Sequence, residues 1–148
     1  MCFMQTTRIL SGFTLVELMI ALVIASVLGA IVYPSYRDHL IRAAIPEATG
    51  GLSLYAARLD EYYLDHRSYT DSSGACALPV PANEKFSFSC DPGSDGQSYL
   101  LTAEGVSGDL ASFSYTLDQN GNERTTALPS GWGTVPVSCW VQKRQATC

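Results

Sequence analysis

Glu17 is the only charged side chain in an apolar run that extends from Phe13 to Tyr33. A carboxylate in hydrocarbon costs about 2.5–3.5 kcal/mol at the centre of a membrane helix, and less near its end. Protonation or snorkelling would lower that cost, and so would a cation. No Lys or Arg stands within a turn or two of Glu17; the nearest is Arg8, on the far side of Gly12. A cut between Gly12 and Phe13 would create a new amino terminus and supply the missing charge. Glycine offers no side chain to obstruct a protease there.

The second set of reactive side chains is the cysteines. There are five, and Cys76, Cys90, Cys139 and Cys148 all follow the apolar run. No Cys-x-x-Cys pair occurs and no His sits at zinc-finger spacing, so a metal site is not expected. Four spaced cysteines behind an export-type apolar segment point to two disulfides in an oxidising compartment; four buried free thiols are the competing reading. Three pairings are open. Cys76–Cys90 with Cys139–Cys148 closes the shortest loops, each contributing roughly 3 kcal/mol by chain entropy.

The remaining titratable groups form no catalytic constellation. His39 and His66 each follow an Asp, but adjacent residues do not face one another on a helix, so both are expected at the surface. No nucleophile elbow, phosphate loop or His-Glu-x-x-His motif is present. No enzyme activity and no cofactor is expected. The segment 118–123, DQNGNE, and the segment 90–97, CDPGSDGQ, carry oxygen ligands, but turn chemistry explains both better than a cation does. Lys143 and Arg144, with Arg124, make a small basic patch on a chain of net charge −5. That overall charge repels phosphate backbones. Trp132, bounded by glycines, is expected in the core, with a contact residue on an exposed loop as the alternative.

These groups must be positioned by a small set of elements. In a helix the run 13–34 is about 30 Å long, enough to cross a bilayer. It is too long, and too acidic near its start, for a cleaved secretory signal. Pro34 is expected to bend the helix. Over 35–66 the helix becomes amphipathic, with Ile41, Ala44, Ile45, Ala48, Leu52, Tyr55, Leu59 and Tyr62 on one face. Pro46 and Gly50-Gly51 interrupt it, either as a tolerated kink or as a flexible zone. Residues 67–85 form a connecting loop that Cys76 pins. Alternation in KFSFSC, QSYLLTAE and SFSYTL predicts strands with one buried face. Asn120-Gly121 suits the positive-φ positions of a tight hairpin turn, and a short polar arm follows over 123–127. The end, VPVSCWVQKRQATC, reads as a strand closed by a cysteine loop. The expected fold is α+β, a long helix whose rear half lies on about four antiparallel strands, with the sheet and the cysteine loop together occupying 86–148.

The string GFTLVELMIALVIASVLGAIVYPSY, residues 12–36, resembles the amino-terminal segment of type IV prepilins. AARLDEYYLDHRSYT, residues 56–70, resembles the second half of the long helix in the minor-pilin branch. The resemblance implies a pilin-like fold with a leader peptide at 1–12. It implies cleavage between Gly12 and Phe13 by a prepilin peptidase, followed by methylation of the Phe13 amine. In the filament Glu17 would face the Phe13 amine of a neighbouring subunit. The implied partners are other pilin subunits, the peptidase and an inner-membrane assembly platform. The protein would sit in the bacterial inner membrane by one pass before assembly and in an extracellular pilus afterwards. Some pilins of this family bind DNA during uptake, which gives the basic patch a functional reading. A departure is that the leader carries one basic residue, Arg8, where such leaders usually carry more; Met4 is an alternative start. A pseudopilin of a type II secretion system and a membrane-anchored periplasmic enzyme or binding protein are the rival readings.

Overall fold

The computed structural model describes residues 13–145 and 148. The expected leader, with Cys2, Arg8 and Gly12, lies outside the described residues. The chain divides into two compact units, one ending at Asp38 and the other running His39–Cys148.

Helix α1 spans Leu15–His66. It is opened by Thr14, whose hydroxyl oxygen accepts the Glu17 N–H at 3.2 Å. The Thr14 carbonyl accepts the Leu18 N–H, also at 3.2 Å. Thr-x-x-Glu is the sequence form of a capping box, and a carboxylate in the first turn is favoured by the helix dipole. The helix continues through Pro34, Pro46 and Gly50-Gly51. It stops where Arg67 adopts φ 56° and its N–H reaches the Tyr63 carbonyl at 2.8 Å, a left-handed helix stop.

In the second unit α1 buries Ile41, Ala44, Ile45, Ala48, Leu52, Tyr55 and Leu59, the three- and four-residue series expected for one apolar face. Tyr62 is only half-buried and Pro46 faces solvent. The sheet has four antiparallel strands, β1 (Phe86–Pro92), β2 (Tyr99–Gly105), β3 (Ser114–Asp118) and β4 (Glu123–Ala127), and residues of β1, β2 and β3 share one core with this face. They are ordered β1-β2-β3-β4. Register pairs Phe88 with Ala103, Leu101 with Leu117 and Ala103 with Tyr115, so all of these share one side of the sheet and enter the core. Cys76 is joined to Cys90, tying the loop after α1 to β1, with Cα atoms 6.3 Å apart. Cys139 is joined to Cys148 at a Cα separation of 5.8 Å.

Four expectations need correction. The segment from Val135 forms no strand. Only Val137 bridges to Thr125, because Pro136 has no N–H to extend the ladder. The Cys139 carbonyl is then taken by the Thr125 hydroxyl rather than by backbone. The β3–β4 hairpin is not a two-residue turn. Gly121 takes φ 75° and Asn120 does not. Instead the Asp118 carboxylate accepts the N–H groups of Asn120 at 2.9 Å and Asn122 at 3.0 Å, shaping a longer loop. The sheet is not buried on one side only, since Ser114 and Thr116 of β3 are buried as well. Thr126 hydrogen-bonds Ser114 Oγ at 2.8 Å, and the Trp140 indole lies against Thr116. Finally, Gly51 is more than an interruption of the helix, because it has a packing role. A Cβ there would come within 2.5 Å of Phe88 Cζ; the glycine is what lets the ring seat on the helix.

Candidate functional site

The two units carry different surfaces. In the first, Phe13, Leu15, Val16, Leu18, Met19, Ile20, Leu22, Val23, Ile24, Val27 and Leu28 are all exposed. Consecutive positions are included, so the segment is apolar all round rather than on one stripe. By length and composition α1 can cross a membrane. Glu17 lies in the first turn of this segment with its backbone N–H capped by Thr14. The Thr-x-x-Glu spacing is the sequence signal for that local role, which is separate from any cation partner. Phe13 is exposed just before the helix and Pro34 lies within it.

In the second unit the cations of the expected basic patch each have identified surroundings. Burial pushes the Asp118 carboxyl up, but the hydrogen bonds from Asn122 and Asn120, joined by the charge of Arg124 on β4, outweigh it and hold the group below its ordinary range. The Arg144 guanidinium lies 5.7 Å over the Trp132 ring, a cation–π contact. Trp132 itself is 1% exposed and meets Phe113 edge-on at 4.8 Å, so it is core and not a surface contact. Lys143 shares a cleft with Arg42 of α1. Together with Trp140 and Gln142 they line an open cleft of about 500 Å³.

The cleft is built from the sheet outward. Trp140 is half-buried, and its indole N–H donates to the Thr116 carbonyl at 3.0 Å. Val141 beside it is buried. Its N–H donates to Thr125 Oγ1 at 3.0 Å and its carbonyl accepts the Tyr115 hydroxyl at 2.9 Å. Burial pushes the Tyr115 phenol well above its ordinary pKa, so it remains a donor. Gln142 and Lys143 follow on the exposed side. A guanidinium, an ammonium, an amide and an indole in one cleft suit a phosphate linked to a planar base. Arg42 was missed because nothing local in the sequence pairs a helix residue with the end of the chain.

The other candidate groups form no site. The 118–123 loop directs its Asp118 carboxylate to its own amides, as above. In the 90–97 turn Asp95 accepts the Gln97 N–H at 3.0 Å. His66 stacks on Tyr62 with ring centroids 3.9 Å apart, and His39 is exposed. Among the described residues no group of three or more His, Cys, Asp or Glu could hold a metal ion.

Comparison with known proteins bears on both surfaces. The prokaryotic N-terminal methylation motif matches residues 11–33. The family described as type IV minor pilin ComP, DNA uptake sequence receptor, matches residues 34–118. The chain belongs to this minor pilin family. Among curated relatives, type IV major pilin protein PilE1 of Neisseria gonorrhoeae is 33% identical over 73 residues, 49% of this chain and 44% of the relative. Fimbrial protein EcpC of Eikenella corrodens is 30% identical over 96 residues, 65% of this chain and 63% of the relative. Type II secretion system core protein G of Pseudomonas aeruginosa is 41% identical over 59 residues, 40% of this chain and 42% of the relative. The minor pilin thus spans less than two thirds of the length of each of these relatives. Arg42 falls inside the family match, whereas Trp140, Gln142 and Lys143 lie beyond it.

Proposed function

We propose that this minor pilin is a structural subunit of a bacterial type IV pilus and catalyses no reaction. A prepilin peptidase cuts between Gly12 and Phe13 and the Phe13 amine is methylated. The protein waits in the inner membrane as a single-pass helix until the assembly platform extracts it into the extracellular fibre. The observation that carries this reading is the all-round apolar exposure of residues 13–28 with one carboxylate at its start. Such a surface is stable in lipid or against other helices, not in water. In the fibre, Glu17 meets the Phe13 amine of a neighbouring subunit. A charge that is costly alone is neutralised by assembly, where low dielectric strengthens the attraction. The capping by Thr14 supports the same reading, since it holds Glu17 in the first turn beside the new terminus. Pro34 sets the bend that fits the helix to the fibre.

The decisive measurement is mass spectrometry of sheared surface filaments. It should find the protein in the fibre, beginning at a methylated Phe13 and bearing both disulfides. Glu17→Ala should still be cut, with its abundance in the fibre reduced at least about tenfold. Uncut protein, or normal incorporation of Glu17→Ala, would overturn the proposal. The match to core protein G keeps a secretion pseudopilin as the alternative. Loss of twitching or DNA uptake without loss of protein secretion in a deletion strain decides between them.

A DNA-binding role rests on the family's description and on the cleft. Arg42 and Lys143 take backbone phosphate while Trp140 offers a stacking face, a small basic site on an acidic chain. Retention would therefore fall steeply with salt.

A further inference from the structure

Thr125 is an ordinary-looking residue in a short polar arm, yet it is 0% exposed and every polar atom it has is directed to the C-terminal segment. Its N–H donates to the Val137 carbonyl at 3.0 Å and its carbonyl accepts the Val137 N–H at 3.1 Å. Its hydroxyl donates to the Cys139 carbonyl at 2.6 Å and accepts the Val141 N–H at 3.0 Å. Tyr115, its cross-strand partner, adds a bond to the Val141 carbonyl at 2.9 Å. The Cys139–Cys148 disulfide closes a ring, but a ring does not attach itself to the sheet. The contact from Gln145 N–H to the Trp132 carbonyl, 3.1 Å, joins loop to loop. Attachment to the sheet comes from Thr125 and Tyr115, helped by the Trp140 indole on Thr116.

From this geometry we infer that Thr125 and Tyr115 form a clamp on Val141 that sets the position of the disulfide loop, and with it Trp140 and Lys143 in the cleft. These are positioning residues: neither lines the cleft, and both act through the segment that does. The functional part of the inference rests on the DNA reading above; the clamp does not. Removing the hydroxyl of Thr125 leaves the Val141 N–H and the Cys139 carbonyl without their partner. A buried polar group left unpaired favours local opening, and local opening is read by amide exchange.

The test uses the full chain in detergent and three variants, Thr125→Val, Thr125→Ser and Tyr115→Phe, with Lys143→Ala as a cleft control. Hydrogen exchange over 137–145 is compared with exchange in β1 and β2. Retention of a randomised-sequence DNA duplex is followed across a salt series. Thr125→Val and Tyr115→Phe should accelerate exchange over 137–145 by about tenfold or more, leave β1 and β2 protected, and weaken retention several-fold. Thr125→Ser keeps the hydroxyl and should restore both. Lys143→Ala should weaken retention with exchange unchanged. The clamp is overturned if both disruptive variants leave loop exchange as in the parent, if Ser behaves as Val, or if exchange rises equally in β1 and β2. Should Thr125→Val fail to fold, Tyr115→Phe decides alone. If the parent retains no DNA even at low salt, the DNA reading falls while loop exchange still judges the clamp.

Discussion

Helix α1 is one element with two burial regimes. Leu22, in the first unit, is 70% exposed, while Leu52, in the second, is 0% exposed. Both are leucines in good helical sequence, so propensity does not distinguish them. The difference is in what surrounds them. Leu52 belongs to a series that recurs on one face and is answered by Phe86, Phe88, Leu101 and Tyr115 from the sheet. Leu22 belongs to a run with no polar face at all. The second unit completes its own core from one chain. The apolar run of the first is left exposed by this chain, and under the function proposed above lipid or other helices cover it, with Glu17 as its one carboxylate.

The same substitution should therefore have opposite consequences in the two regimes. Leu52→Ala should lower the unfolding free energy of the second unit by about 2–5 kcal/mol, because it leaves a cavity in a packed core. Leu22→Ala should leave the unfolding midpoint of that unit unchanged and weaken membrane insertion by a few tenths of a kcal/mol. Denaturant unfolding read by near-UV circular dichroism, beside a membrane partition assay, measures both. Equal destabilisation by the two substitutions would break the distinction.

A finer contrast lies in the adjacent glycines. An added Cβ at Gly50 meets nothing within 4 Å, while at Gly51 it meets the Phe88 ring at 2.5–2.8 Å. Gly50→Ala should raise stability by up to about 1 kcal/mol through helix propensity. Gly51→Ala gains the same propensity but forces the ring aside, which costs about 1–3 kcal/mol, so the net change is a loss of about 1 kcal/mol. Pairing Gly51→Ala with Phe88→Leu should recover part of it, a coupling that a double-mutant cycle isolates. Equal effects at the two glycines would return Gly51 to the role of a simple kink.

How far the chain could be read in advance follows the same division. Ile41 to Leu59 were legible because burial on one side of a helix imprints a 3.6-residue period, and Phe86, Phe88, Tyr99, Leu101 and Ala103 because a half-buried strand imprints alternation. The long helix and the four antiparallel strands follow from those periods. What escaped was made by contacts distant in sequence. Thr125 looked like a solvent-facing polar residue, and only the returning C-terminal segment makes it buried. Gly51 looked like a helix breaker until Phe88 was set against it. Arg42 and Lys143 belong to opposite ends of the folded unit's sequence, and no period links them. The C-terminal segment had strand-like residues, but Pro136 and the side chain of Thr125 remove the partners that a ladder needs.

The last expected effect concerns alkaline pH and the buried phenols of the second unit. In the second unit the Tyr69 hydroxyl donates to Asp60 Oδ1 at 3.1 Å. Burial first, and then the Asp60 hydrogen bond and charge, push its pKa from 10.0 up to about 12. Burial likewise raises Tyr99, which packs edge-on against Tyr69 at 4.7 Å. A phenol whose folded pKa lies above its unfolded value stabilises the fold fully below about pH 10. That contribution is lost as pH rises from about 10 to about 12, because the unfolded chain releases its proton first. Stability of the second unit should fall across that window by about 1 kcal/mol for Tyr69, less than the full shift implies because Asp60 is solvent-facing. Asp60→Asn removes the hydrogen-bonded charge and leaves burial, so tyrosinate absorbance should appear at lower pH and the window should narrow. An unfolding midpoint that stays flat through pH 12, or an Asp60→Asn titration identical to the parent, would mean that the Tyr69–Asp60 contact adds nothing to the folded unit.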